Sequence, residues 1–281
     1  MNMGYWRTTE NALIYQFDEA CQRLLEEVLI TAGLMPAART RGPKTDVAIL
    51  DLGIGCGDQT KSIVRLFANA GRDLRYVGLT NIEAQVDIAK KSAKHGEIGS
   101  KSPPASVEIF LADAAQPRAW SSEILSTLEA QKTNNTERWV LGLDSFYHFK
   151  PSRMPIFRYA FAELDASVMA FDLILSDTAT RTQRLAVQAI GVGTQCPWHT
   201  FLPLAEYRAQ LREAGFDPRL IKVRDVTTEV FPGLIDFIDR QAESLSAYGI
   251  SMSRYRVFQR ALKFFLGSGA LRAVIVVAKR R

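Results

Sequence analysis

The stretch "VAILDLGIGCGDQT", residues 47–60, decides how the chain folds. It opens with an apolar run typical of a buried strand. Three alternate glycines follow, Gly53, Gly55 and Gly57, and a helical pattern begins directly after them. Glycine adopts backbone conformations that side chains forbid, and it lets the main chain approach a ligand closely. The stretch therefore predicts a tight strand-to-helix turn over a bound nucleotide.

A dinucleotide site is one alternative for this turn, and the glycine spacing argues against it. The G-x-G-x-x-G pattern of that site needs a third glycine where the chain has Asp58. The site also needs an acidic residue at the end of the second strand, where the chain has Thr80 and Asn81. A plain tight turn explains a single glycine but fits three alternate glycines poorly.

Apolar runs alternate with helical patterns along the first two thirds of the chain. The predicted strands cover residues 47–53, 74–80, 107–113, 139–145 and 168–177. Strands that recur with helices between them imply right-handed crossovers and a mostly parallel sheet covered on both faces. The sequence therefore predicts an α/β, Rossmann-like, doubly wound fold. In the predicted helix over 81–94, the residues expected to face inward are Ile82, Val86, Ile88 and Ala89.

The segments on either side of this core are mainly helical. Residues 10–34 predict an amphipathic helix or helix pair. The C-terminal part predicts helices over 204–215 and about 233–266, with strands near 220–226 and 271–280. We expect one domain over 1–281. Its parts are an N-terminal lid with helices (1–45), the core (46–178), and a substrate lid with the last strands (179–281).

Composition narrows the class of protein. The net charge is +5, but the lysines and arginines are scattered, so a nucleic-acid partner is not expected. The cysteines are Cys21, Cys56 and Cys196, and without a CxxC pair they indicate neither a disulfide framework nor a zinc or other metal site. The chain start lacks the apolar region of a secretory signal, and no run of 18 apolar residues occurs. We therefore expect a cytoplasmic protein without a transmembrane segment.

The glycine turn resembles the first motif of the class I S-adenosylmethionine (SAM)-dependent methyltransferases, D/E-x-G-x-G-x-G. The chain matches it completely, from Asp51 to Gly57. This cofactor carries no phosphate, so a floor of glycines suffices to hold it. It does carry an ammonium and a sulfonium, which makes a carboxylate at the strand end electrostatically favourable.

Further motifs of the same family follow in order. "VGLTNIEAQVDIAKK" resembles a stretch of the branch that contains sterol, cyclopropane-fatty-acid and small-molecule natural-product methyltransferases. "LADA" at 111–114 resembles the third motif, and "LGLDSFYHF" at 141–149 resembles the strand-four motif. "MNMGYW" resembles the N-terminal lid, whose aromatic residues close over the methionine part of the cofactor. Matches in this order are more specific than any one motif.

The resemblance implies a cofactor site and a mostly parallel sheet of seven strands. Thr80 and Asn81 would replace the acidic ribose ligand, and Asp113 would accept from the adenine amino group. The residues expected at SAM, or at its product S-adenosylhomocysteine (SAH), are Tyr5, Asp51, Gly53, Gly55, Gly57, Thr60, Thr80, Asn81, Gln85, Asp113, Ala114 and Asp144. The helix before strand five departs from the family, because "ELDASVMAF" has neither proline nor glycine in its turn.

Two titratable residues follow neighbouring strands on the cofactor side. In the methyltransferases that this chain resembles, a histidine at the position of His148 serves as base and an aspartate at that of Asp177 assists. Ligands bind outside the carboxyl ends of strands in open α/β sheets, so both residues should border the site. Two alternatives stay open: His148 packs between Tyr147 and Phe149, or Asp177 caps a helix.

The substrate-binding candidates are aromatic residues and one histidine: Trp6, Tyr147, Phe149, Trp198 and His199. The apolar stretch over 230–267 either buries itself on the core or forms the wall of a roomy hydrophobic pocket. Weak contact with a membrane surface is a further reading of this stretch and the basic tail.

We expect a methyltransferase acting on a small, largely apolar metabolite, as a monomer or homodimer, in secondary metabolism. Two alternatives are a SAM-binding protein of this fold that acts as a cyclase or isomerase, and a non-catalytic subunit of a larger complex.

Overall fold

The architecture is a seven-stranded sheet in the order β3-β2-β1-β4-β5-β7-β6. The computed structural model describes residues 2–35, 45–94, 105–133, 136–193 and 200–281. The strands are β1 (Asp46–Leu52), β2 (Leu74–Thr80), β3 (Ala105–Leu111), β4 (Thr136–Leu143), β5 (Ser167–Leu175), β6 (Ile221–Asp225) and β7 (Leu271–Ala278). All are parallel except β7, which runs antiparallel to both of its neighbours. The predicted Rossmann-like fold is confirmed.

Helices cover both faces of the sheet. They are α1 (Phe17–Ala32), α2 (Asp58–Asn69), α3 (Glu83–Lys94), α4 (Ser122–Ala130), α5 (Met154–Arg158), α6 (Arg181–Gly193), α7 (Leu204–Ala214), α8 (Thr227–Ser246) and α9 (Ser253–Ser268). The stretch predicted as one helix over 233–266 is two helices, α8 and α9, because a turn with Gly249 at φ +70° separates them. Helix α6 was not predicted.

The two cores follow the alternation of side chains along the strands. In β1, Val47 and Ile49 belong to one core, while Leu50 and Leu52 belong to the other. Successive strand residues point to opposite faces of a sheet, so each strand supplies both cores. The first core also contains residues of α1, α2, α8 and α9, and the second contains residues of α4, α5 and α7. Each face is thus closed by its own set of helices.

The register of β1 places the glycine turn at the centre of the sheet. Leu50 pairs with Val77 of β2 on one side and with Val140 of β4 on the other. The strand order reverses between β1 and β4, and such a reversal opens a crevice at the carboxyl ends of the strands. Gly53, Gly55 and Gly57 lead from β1 into α2, with φ of +84°, +58° and +79°. These left-handed conformations suit glycine.

The turn before β5, which lacks glycine and proline, is formed by an aspartate. Asp165 takes a left-handed conformation, φ +49°, which aspartate tolerates better than most residues. Its carboxylate lies 2.6 Å from Arg138 and 3.1 Å from Arg280. These ion pairs hold the turn that precedes β5.

Two local predictions were wrong. Ile82 and Ile88 keep 49% and 48% of their surface exposed, while Val86 and Ala89 are buried. Helix α3 begins only at Glu83, and its inner side is set by the three-residue spacing of the buried pair. Residues 10–16 are not helical, and Leu13 instead forms a bridge with Arg7 before α1 begins at Phe17.

The N-terminal segment packs into the fold through Trp6. Its side chain is 1% exposed, and its backbone amide donates to the Glu229 carbonyl at 2.9 Å. The indole lies on Gly233 of α8, where a Cβ would come within 2.1 Å of the ring. Only glycine leaves room for this close approach. In the described part of the chain, no helix is both long enough and apolar enough to cross a membrane.

Gly233→Ala should displace Trp6 and destabilise the protein by about 1–3 kcal/mol, as overpacking does. Gly267→Ala is the matched control, because a Cβ there meets nothing within 4 Å. Alanine in that open helical position should leave stability unchanged or raise it by up to about 1 kcal/mol. Thermal unfolding and tryptophan fluorescence measure both effects. Equal stability of the two variants would contradict the packing of Trp6 on α8.

Candidate active site

A cavity of about 650 Å³ lies beside the carboxyl ends of β4 and β5. Its walls are mainly apolar and aromatic, and α8 and α9 supply much of them. The lining residues from these helices include Leu234, Phe237, Ile238, Phe258, Leu262 and Phe265, and α6 adds Val187 and Ile190. The stretch over 230–267 therefore both packs on the core and walls a roomy hydrophobic cavity.

The turn after β4 brings polar groups to this cavity. Asp144, Tyr147 and His148 all line it. The Tyr147 hydroxyl donates to an Asp144 carboxylate oxygen at 2.8 Å, and the Tyr147 and His148 rings lie 4.2 Å apart. Asp144 has φ +65°, a conformation that is uncommon outside glycine and recurs at functional sites.

Burial changes the titration of two of these groups. It raises the pKa of Asp144 to about 7, although the hydrogen bond from Tyr147 acts in the opposite direction. Burial and the positive charge of Lys150 lower the pKa of His148 from its usual value. His148 is therefore neutral at pH 7, and a neutral imidazole can accept a proton. The turn presents a proton acceptor and a carboxyl that ionises readily beside a cation.

The glycine turn adjoins the turn that carries these residues. A Cβ on Gly53 would lie 2.9 Å from the Ser145 Cβ, so only a glycine fits between them. Gly53 is exposed, and its amide donates to the Leu79 carbonyl of β2 at 2.8 Å. The end of β1 therefore lies next to Asp144 and faces open space.

The ends of β2 and β3 carry the other predicted cofactor residues. The Thr80 hydroxyl donates to the Gln85 side-chain oxygen at 2.6 Å, and Asn81 beside it is exposed. Asp113 accepts from the Ala115 amide at 2.9 Å and from Gln116 at 2.8 Å. These contacts orient the polar groups at the ends of β2 and β3, on the side of the crevice away from β4.

The sequence interpretation missed two apolar residues at this edge. Ile82 lies two residues after the end of β2, and Leu111 is the last residue of the neighbouring β3. They keep 49% and 52% of their surface exposed. Exposed apolar side chains of this size can form part of the wall of a ligand site. The sequence does carry a signal for both residues. Ile82 directly follows Asn81, and Leu111 lies two residues before Asp113.

Asp51 and Thr60 are used inside the fold. Asp51 is 4% exposed and accepts from the Tyr76 hydroxyl at 2.7 Å, while Thr60 lies 2.9 Å from that hydroxyl. Burial raises the pKa of Asp51 to about 7, and the bond from Tyr76 acts against this rise. Asp51 precedes the glycine turn and Thr60 follows it, so their shared contact with Tyr76 ties the two ends of the turn together.

Tyr5 is held by charged groups between α1 and β6. Its hydroxyl accepts from Arg224 at 3.0 Å, and Arg224 also pairs with Glu27. The Tyr5 ring lies 5.9 Å and 5.7 Å from the guanidinium groups of Arg23 and Arg224. Asn2 and Met3 of the same segment line the cavity, whereas the Tyr5 and Trp6 side chains anchor the segment to the protein.

The remaining predicted residues lie away from the cavity or outside the described part of the chain. Phe149 packs with Phe146 in the second core, at a centroid distance of 5.4 Å. Asp177 is exposed in the turn after β5. Trp198 and His199 lie outside the described residues.

The alternative reading of Asp177 as a helix cap is wrong. Helix α6 begins at Arg181, and Thr180 precedes it. The Thr180 hydroxyl accepts from the Gln183 amide at 3.3 Å, and the Gln183 side chain accepts from the Thr180 amide at 2.8 Å. This reciprocal pair is a capping box. The signal was present in the sequence as Thr180-x-x-Gln183.

Comparisons with known proteins show a similar fold among solved structures. No protein-family model and no curated protein sequence matches the chain. A solved cyclopropane synthase from Mycobacterium tuberculosis superposes with a TM-score of 0.64 at 16% identity, over 99% of this chain and 90% of that one. A mycolic acid cyclopropane synthase solved with SAH and CTAB gives 0.63 at 12%, over 98% and 92%. The cyclase SpnF gives 0.61 at 16%, over 99% and 86%.

The chain therefore has the fold of the class I SAM-dependent methyltransferases, as its motifs predict. Similarity to the cyclopropane synthases extends over nearly the whole chain. The same fold also serves a cyclase, so the fold alone does not define the reaction.

Asp144→Asn tests the raised pKa of the cavity carboxyl. The folded pKa, about 7, lies above the ordinary value, so the buried aspartate contributes stability at low pH and loses it as the pH rises through 7. The asparagine variant should be the more stable protein above pH 8, by up to about 4 kcal/mol. This advantage should shrink toward pH 5.

Denaturant unfolding between pH 5 and pH 9 measures this difference. Asp51 titrates in both proteins, so its contribution cancels in the comparison. Asp177→Asn, at an exposed position, is the control and should follow the wild-type curve. A constant difference between Asp144→Asn and wild type across this range would contradict the assignment.

Proposed function

We propose that this chain is a SAM-dependent methyltransferase that acts on a small, largely apolar metabolite in secondary metabolism. The observation that carries the proposal is the junction of the two parts of the site. The glycine turn at the end of β1, exposed at Gly53, adjoins the turn that presents Asp144, Tyr147 and His148 to an apolar cavity. A cofactor on the glycines would thus meet a substrate at the end of β4.

The residues at the crevice fit SAM. Thr80, Asn81 and Gln85 would hold the ribose, and Asp113 and Ala114 would bind the adenine edge, since they cluster at the ends of β2 and β3. Ile82 and Leu111 would cover the adenine faces, because both keep about half of their surface exposed. The exposed Gly53 and the half-buried Gly55 would lie under the methionine part. One structure of this fold was solved with SAH, which supports the assignment.

Asp144 would face the cationic part of the cofactor. Asp144 is half-buried, and the side chain that donates to its carboxylate is the neutral hydroxyl of Tyr147. Burial of a charge is costly unless an opposite charge is near. We therefore expect Asp144 to ionise when a cation binds beside it. Asp51, Thr60, Tyr5 and Trp6 would support the site through their contacts inside the protein.

His148 would act as the general base for a hydroxyl acceptor. When bound, SAM supplies an electrophilic methyl group on its sulfonium. The chain has to orient the acceptor and, for a hydroxyl, take up its proton. His148 lines the cavity and is neutral at pH 7, so it can accept that proton. Asp177 would contribute only from outside the cavity, since it is exposed in the next turn.

The cavity supports an apolar substrate. Its volume of about 650 Å³ falls in the range of small-molecule sites, and its walls are mostly aliphatic and aromatic. Trp198 and His199 precede Phe201, which lines the cavity, and remain candidates for substrate contact. The scattered surface charges favour a small molecule over nucleic acid, and we propose a cytoplasmic monomer or homodimer.

A cyclase or isomerase is the second candidate function, because SpnF shares the fold. Incubation with methyl-labelled SAM and metabolite pools, followed by mass spectrometry, separates the two. A methyltransferase transfers the label to a product. A cyclase consumes its substrate with no label incorporated, and this result would overturn the first proposal.

Gly55→Val should abolish SAM binding, because the valine side chain would fill the floor of the crevice. Isothermal calorimetry measures the loss directly. Gly71→Val is the matched control: Gly71 has φ +64°, close to the +58° of Gly55, and a Cβ there meets nothing within 4 Å. Both variants carry similar backbone strain, yet only Gly55→Val should lose binding. Equal loss in both would trace the effect to strain.

His148→Ala should lower kcat about a hundredfold for a hydroxyl acceptor, which is within the usual range for a general base. Affinity for SAM should stay nearly unchanged, since the imidazole would face the acceptor. The defect should shrink at high pH, where the acceptor hydroxyl ionises without help. The pH dependence of kcat measures both effects. A rate near wild type at every pH would leave His148 a packing residue.

A further inference from the structure

A fully buried ion pair lies behind the turn that carries the proposed active-site residues. Arg153, at the start of α5, donates to an Asp172 carboxylate oxygen of β5 at 2.9 Å. Their side chains are 1% and 0% exposed. Burying two charges costs more free energy than packing apolar residues of similar volume, so such a pair is weak evidence for a stabilising role. Its neighbours indicate what else the pair does.

The pair is fully engaged with its surroundings. Arg153 also donates to the Thr200 carbonyl at 2.5 Å, and its guanidinium lies 4.6 Å from the Tyr207 ring centroid. The second oxygen of Asp172 accepts from the Leu173 amide at 2.9 Å. The network therefore joins α5, β5, α7 and the segment that begins at Thr200.

This network holds the backbone of Tyr147 from both sides. The Tyr147 amide donates to Asp172, and the Thr200 hydroxyl donates to the Tyr147 carbonyl. Thr200 in turn is held through its carbonyl by Arg153. Both peptide groups of Tyr147 are thus fixed by one closed set of buried hydrogen bonds.

Tyr147 is the residue on which the polar wall of the cavity depends. Its hydroxyl donates to Asp144, its ring lies against His148, and its backbone leads directly into His148. We infer that Arg153, Asp172 and Thr200 are positioning residues that set the turn over 144–148, so that His148 and Asp144 face the cavity in a fixed arrangement. This inference rests on the proposed function only for its catalytic consequence.

The test replaces the pair by apolar residues of similar volume. Arg153→Met combined with Asp172→Leu should keep the fold, as such replacements of buried ion pairs usually do. The chain has only three histidines, so the imidazole NMR signal of His148 can be assigned by comparison with His148→Ala. In wild type this signal should titrate below the ordinary histidine value. In the double variant it should broaden and titrate closer to that value.

Methyl transfer supplies a second readout. The double variant should lower kcat at least tenfold, with the KM for SAM within twofold of wild type. Arg72→Met is the matched control, because Arg72 is also a buried arginine, bonded to the Leu34 and Thr45 carbonyls at 2.7 Å and 2.9 Å. Arg72 precedes β2 and so lies at the amino ends of the parallel strands, whereas His148 lies at their carboxyl ends. Its loss should therefore affect stability and leave the His148 signal unchanged.

Thr200→Val covers the case in which the double variant does not fold. It removes only the hydroxyl that donates to the Tyr147 carbonyl, and it should shift the His148 titration in the same direction, while Thr200→Ser should restore the wild-type signal. A folded variant with an unchanged His148 titration would overturn the inference. The NMR readout needs no substrate, so absence of methyl transfer in wild type would count against the proposed function and leave this inference standing.

Discussion

The position of β1 between β2 and β4 is the constraint on which the rest of the structure depends. Chain connections leave β1 and β4 in opposite directions, and this reversal opens the crevice at their carboxyl ends. The first residue of the turn, Gly53, must cross that edge without a side chain, since a Cβ there would collide with Ser145. The turn after β4 is consequently brought beside the glycines, and the polar residues of the cavity come with it.

Two carboxyls, the buried Asp51 and the half-buried Asp144, flank the crevice. Asp51 lies one residue before the end of β1, and Asp144 directly follows β4. Each accepts from a tyrosine hydroxyl, and burial raises the pKa of each to about 7. A carboxyl in such surroundings gains most from a nearby positive charge. A site of this kind favours a cationic ligand, and SAM carries two positive centres. The apolar cavity next to it favours a partner without charge.

The fold and the order of the site motifs could be predicted because parallel strands bring their ends to one edge. The glycines, Thr80, Asp113 and Asp144 all follow strands, so sequence order alone places them together. Contacts between distant residues could not be predicted. Tyr76 meets Asp51 from 25 residues away, and Tyr5 meets Arg224 from 219 residues away. Only the packed structure shows that these side chains are engaged inside the protein.

A crystal structure of the protein with SAH tests the central claim most directly. Adenine should lie between Ile82 and Leu111, the ribose at Asn81, and the sulfur of SAH should be directed past Asp144 toward the cavity and His148. The cavity should remain open to a second, apolar molecule. SAH bound elsewhere on the protein, or bound with its sulfur directed away from the cavity, would contradict the account.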